Sequence, residues 1–73
     1  MTIFVSYSIS KSDIVNIRIY DVSGQIVDQL FSGHQSVGNY QITWDASEMS
    51  SGIYLIMIQS GNVILSDQLI LLK

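Results

Sequence analysis

The stretch "IYDVSGQIV", Ile19 to Val27, decides how this chain is read. Apolar residues flank a polar "DVSG", and nothing in it looks catalytic. Asp21 can bond its own backbone two residues on, and Gly24 can take a positive φ without steric cost. A turn that ends in a left-handed glycine, with a bulge, is a common connection between antiparallel strands. The residues before it alternate: Val15, Ile17 and Ile19 point one way, Asn16 and Arg18 the other. Their β-branched content suits a strand over Ile14 to Tyr20. Gln25 to Phe31 returns as the next strand, with Val27 and Leu30 partly buried.

The same period of two continues along the chain. Thr2 to Ile9 places Ile3, Val5, Tyr7 and Ile9 on one face, with Phe4 an apolar exception on the other. Ser10 to Asp13 is a polar connection. Ser32 to Asn39, bracketed by Gly33 and Gly38, reads as a loop. Tyr40, Ile42 and Trp44 alternate in a further strand, and Trp44, the only tryptophan, is the first candidate for the centre of the core. "DASEMSSG", Asp45 to Gly52, reads as one short helical turn capped by Asp45, with Glu48 three residues on and ended by Gly52. Ile53 to Gln59 is a strand, Ser60 to Asn62 a tight turn, and Val63 to Lys73 a long final segment that breaks near Ser66 and Asp67. With that break the chain has about seven short strands, which predicts an all-β, antiparallel, immunoglobulin-like sandwich. No stretch has the helical period that a parallel crossover requires.

Two runs are more apolar than a half-exposed strand needs. In "IYLIMI", Ile53 to Ile58, Tyr54, Ile56 and Ile58 can face a core only if Ile53, Leu55 and Met57 face outward. "LILL", Leu69 to Leu72, repeats the pattern at the C-terminal end. Such runs normally mean burial on both faces, which a small two-layer sandwich cannot supply. For Ile53 to Met57 two readings stay open, ordinary apolar surface shielded by aromatic neighbours or a seam for a partner or for the rest of a longer chain. The C-terminal strand, with few charges, is expected to meet a partner by pairing edge to edge with another sheet; self-association through such strands would instead suit a structural or adhesive module of a surface protein or fibre.

Composition narrows the function classes. Seventy-three residues make one domain, and 48% hydrophobic content against 12% charged suits a chain that relies on its core. There is no cysteine, so disulfides and thiolate metal sites are excluded. The formal charge is −3, and the only cations, Lys11, Arg18 and Lys73, are scattered, so no basic face is offered to nucleic acid or to anionic lipid. No apolar run approaches the ~18 residues of a membrane span, so membrane insertion is not expected. Met1 is followed at once by a strand-like run. That reads as a piece, residues 1–73, excised from a longer secreted protein.

Catalytic and cofactor readings find little to stand on. His34 is the sole histidine, whereas a structural metal needs about four ligands. No serine sits in a nucleophile elbow, and a triad is defined by geometry rather than inventory. Asp45 and Glu48 are better explained by capping than as a glycosidase pair. Asp21 is a single carboxylate, whereas calcium takes about 6 to 8 oxygens. Tyr7, Tyr20, Tyr40, Tyr54 and Trp44 read as core or hairpin residues, not as a carbohydrate-binding platform. The expectation is no enzyme, no metal and no cofactor.

The order and spacing of "VNIRIYDVSGQIV", "WDASEMSSGIYLIMIQSGN" and a hydrophobic end closing in lysine resemble the type A C-terminal sorting domain of the type IX secretion system of Bacteroidota. The flagellar-hook-cap-type immunoglobulin-like domain is similar in sharing the first three pieces of the pattern. The resemblance covers nearly the whole chain, Thr2 to Lys73. It implies a non-catalytic domain at the C-terminus of secreted cargo, read by the outer-membrane translocon after crossing the periplasm. A surface sortase then cleaves it, leaving the cargo on the cell surface or in the medium. It assigns Tyr20, Asp21, Gly24, Gly52 and Tyr54 to the structural motif, to which the sequence adds Trp44. It assigns Leu69, Ile70, Leu71, Leu72 and Lys73 to the end that the translocon reads. The chain departs from the family pattern at its start, where Met1 replaces an Asn-Pro-rich segment.

Overall fold

The computed structural model describes residues 1–73. Six strands follow in order: β1 Thr2–Ile9, β2 Asp13–Tyr20, β3 Ile26–Gln35, β4 Gly38–Asp45, β5 Gly52–Ser60 and β6 Val63–Leu71. They form two antiparallel sheets, one of two strands (β1-β4) and one of four (β3-β2-β5-β6). The sheets pack face to face as a sandwich, and the shortest molecular dimension, 16 Å, is that of two layers.

Alternation in the sequence becomes sidedness here. Val15, Ile17 and Ile19 of β2 and Tyr54, Ile56 and Ile58 of β5 are buried against Tyr7 and Ile9 of β1 and Trp44 of β4. Ala46 and Leu71 complete a core of 11 buried residues. That core holds no charged or polar side chain, so it rests on apolar area at roughly 25 cal/mol per Å². Trp44 is fully buried, and its Nε1 donates to Asp28 Oδ2 across the sandwich at 3.1 Å.

The strand count is six, not seven. β6 runs unbroken through Ser66 and Asp67 because both stay in register with β5, opposite Met57 and Ile56. Ser66 lies on the outer face and Asp67 on the inward one, and both are exposed because β6 is an edge strand, so neither interrupts its ladder. The loop expected over Ser32 to Asn39 is also mostly strand. Ser32, Gly33, His34 and Gln35 pair with Asn16, Val15, Ile14 and Asp13, leaving only Ser36 and Val37 to cross between the sheets. His34 is thus an exposed strand residue rather than a loop residue.

No helix forms between Asp45 and Gly52. Asp45 Oδ1 accepts the Ser47 amide at 3.1 Å and the Met49 amide bonds the Ala46 carbonyl at 3.0 Å, which makes one turn and stops. Gly52 opens β5 instead of ending a helix.

The β2–β3 hairpin behaves as its sequence predicts. The Asp21 and Gln25 backbones bond at 3.0 Å, the Gly24 amide bonds the Asp21 carbonyl at 3.1 Å, and Gly24 sits at φ 86°. Beyond it β3 carries two bulges, which leave Val27 and Leu30 without opposite partners and turn both against the core.

Candidate functional site

The C-terminal end of β6 is structured from residue to residue. Leu69 is half-buried opposite Tyr54, and Leu71 is fully buried opposite Gly52. Between them Ile70 lies on the outer face, 62% exposed, beside the equally outward Ile53. Leu72 is 79% exposed. Lys73 is tied down twice: its backbone N–H donates to Ser51 Oγ at 2.9 Å, and its Nζ donates to the Ser47 carbonyl at 2.9 Å. The five residues therefore alternate between anchoring the strand and presenting a short apolar and cationic surface.

The turn from Asp45 to Ser51 is the seat on which that end rests. Asp45 titrates below its ordinary value of 3.8. The Ser47 amide and hydroxyl are the main cause, with smaller help from the Met1 ammonium and Lys73. The turn thus holds a persistent negative charge near Lys73. Tyr54 stabilises the same turn from below, its hydroxyl donating to the Ser50 carbonyl at 2.8 Å.

The motif residues occupy a second place. Asp21 Oδ1 accepts the Ser23 hydroxyl at 2.6 Å, the Ser23 amide at 2.9 Å and the Gln25 amide at 3.1 Å. These bonds, the Ser23 hydroxyl first, hold its carboxyl below the ordinary 3.8. Tyr20 is half-buried on the outer face, level with Leu55 and Ile26. Trp44 and Tyr54 meet inside the sandwich. The structure thus brings Gly52, Tyr54 and residues 69–73 together at one end, and the hairpin with Tyr20, Asp21 and Gly24 lies at that same end of the large sheet, Tyr20 opposite Leu55.

Ile53, Leu55 and Met57 face outward, as the alternation with buried Tyr54, Ile56 and Ile58 requires, but two groupings are not legible in the sequence. The outer face of the large sheet gathers Tyr20, Ile26, Ile53, Leu55 and Ile70 into one apolar patch, bordered by Arg18, whose Nε is buried without a partner. An open cleft of about 550 Å³ separates β1 from β6. Both depend on strand order, which periodicity alone does not fix. No group of three His, Cys, Asp or Glu side chains is close enough together to hold a metal.

The molecule belongs to the small antiparallel sandwiches whose last strand closes the core and carries an exposed tip. A family model described as the secretion system C-terminal sorting domain matches residues 2–72, and the chain belongs to that family. The family is one of sorting signals, not of catalysts. No curated protein and no solved structure matched the chain.

Proposed function

We propose that this chain is a non-catalytic sorting signal that directs attached N-terminal cargo through a type IX secretion system to the cell surface or the medium. The observation that carries the reading is the family match over residues 2–72, which takes in every strand. In this reading the outer-membrane translocon reads the tip made by Ile70, Leu72 and Lys73, with Leu69 and Leu71 holding that tip in place. Tyr20, Asp21, Gly24, Trp44, Gly52 and Tyr54 maintain the fold that displays it. A surface sortase acts after the domain has crossed.

The test is an export assay. Residues 1–73 are fused to the C-terminus of a periplasm-targeted fluorescent protein in a Bacteroidota host, with and without the type IX translocon. Fluorescence at the surface or in the medium only when the translocon is present is the expected result. Reporter retained in both strains, with the domain folded, overturns the reading.

A further inference from the structure

The two sheets are unequal, and the mismatch lies over β6. On β5 the inward residues are covered, with Ile58 only 8% exposed. Its neighbour in register on β6, Leu65, points the same way yet is 55% exposed, and Val63 is 56% exposed. The cover is missing because β1 is an edge: it pairs only with β4, as β6 pairs only with β5. Between the two edges runs the cleft of about 550 Å³, walled by β1 from Phe4 to Ser8 and floored by Ile56, Ile58, Leu65 and Leu69. One charged side chain reaches the cleft, Asp67, which shares the inward face of β6 with Leu65 and Leu69 and is exposed.

We propose that this cleft takes up one extended strand from a partner protein, hydrogen-bonded to the free edge of β1, with apolar side chains on Leu65 and Leu69 and a lysine or arginine over Asp67. Such a strand would extend the two-stranded sheet to three and cover β6. A free β edge beside an alternating apolar floor is the arrangement that β-strand addition uses, where main-chain bonds supply affinity and alternate pockets supply specificity. An unpaired edge this long is otherwise a hazard that proteins cover or charge. At about 3.3 Å per residue, a segment of about five residues spans the β1 wall from Phe4 to Ser8, and a heptapeptide overhangs it by about one residue at each end.

The required pattern, apolar and basic side chains on one strand face, argues for a foreign donor over a second copy. In this chain Lys11 has Ile9 and Asp13 at its alternate positions and Arg18 has Asn16 and Tyr20, so neither is flanked by apolar residues on both sides, and Lys73 follows Leu71, which is fully buried at home. A second copy would have to unzip its own β6 to donate them. Assigning the strand to the secretion machinery rests on the sorting reading above; the cleft and its strand specificity do not.

The experiment is a ¹H–¹⁵N NMR titration of the 73-residue domain with the soluble peptide Thr-Val-Thr-Lys-Thr-Val-Thr, whose Val-Lys-Val face is the same in either strand direction. The expected result is saturable binding with shifts confined to β1 and to the inward side of β6. A peptide with Glu in place of Lys should bind about tenfold more weakly, and Asp67→Lys should reverse that preference. Asp67 is exposed and makes only a local bond to the Gln68 amide, so the substitution leaves the core intact. Absence of binding, shifts confined to the outer face, or equal binding of both peptides overturns the proposal. In the export assay, Leu65→Arg in a folded domain should block surface delivery; unimpaired delivery overturns the assignment to the machinery. If the unaltered fusion is itself not exported, the sorting reading fails and the titration alone decides the cleft.

Discussion

Trp44 and Tyr54 meet edge to face across the sandwich, with ring centroids 5.4 Å apart and planes inclined at 65°. Trp44 comes from the two-stranded sheet and Tyr54 from the four-stranded one, so this pair fastens the layers together. Each ring also uses its polar atom, the indole N–H on Asp28 and the phenol on the Ser50 carbonyl. Trp44→Ala should cost about 3 to 5 kcal/mol, enough to unfold a domain with so few buried residues. Tyr54→Phe keeps the ring contact and should cost about 1 kcal/mol for the lost hydrogen bond. Urea unfolding followed by circular dichroism distinguishes the two, and equal losses would contradict the packing described here.

Gly24 is a conformational requirement without a steric one. Its φ of 86° lies in the left-handed region, yet a Cβ there would meet nothing within 4 Å. Gly24→Ala should therefore destabilise by about 1 kcal/mol from backbone strain alone. Gly24→Asn should cost less, because asparagine tolerates that region. If both variants match the parent in urea midpoint, the turn geometry is wrong.

Acid stability should follow Asp21 and Asp45. Both carboxyls titrate below 3.8 in the folded domain, so the folded state binds protons less readily than the unfolded chain. The stability they contribute is fully present above 3.8 and is lost as pH falls through their folded values. Urea midpoints measured stepwise downward from neutral pH should hold level and then drop in that acid window. The double variant Asp21→Asn, Asp45→Asn should show a shallower drop. An identical acid profile for the parent and the variant would remove these two groups as the cause.

On the proposed sorting reading, variants at Leu71 and Lys73 should separate folding from recognition. Leu71→Ala truncates a fully buried side chain and should cost about 2 to 5 kcal/mol. Lys73→Ala removes an exposed side-chain bond and should cost under about 1 kcal/mol. Both should reduce export of a fused reporter, the first together with thermal stability and the second without it. Full export by a Lys73→Ala domain would take the lysine out of the recognised surface.

Strands with one wet face were the most legible part of the chain. β1 and β2 were read from alternation, and the Asp21–Gly24 turn from its chemistry, because both are local. Gly33 and Gly38 look like loop residues, so the sequence alone implies a shorter β3 than the one that forms. What extends the strand is its ladder with β2, where Asn16 Oδ1 also accepts the Ser32 hydroxyl at 2.9 Å. That partner is remote in sequence and leaves no mark on residues 32–35. Ser66 and Asp67 misled in the opposite direction, since polar residues can break a covered strand but not an edge. At the tip, the hydrophobic end was legible as a segment. The seating of Lys73 on the Asp45–Ser51 turn was not, because it joins residues 26 apart.

Leu71 is the last residue of β6, fully buried in the core between the exposed Ile70 and Leu72. Loss of residues 71–73 takes away a core side chain along with part of the exposed tip. A shortened chain cannot pack its interior, so its defect is visible to proteases before it can be mistaken for the intact domain. Folding of this domain thus doubles as an integrity check on the tip of β6.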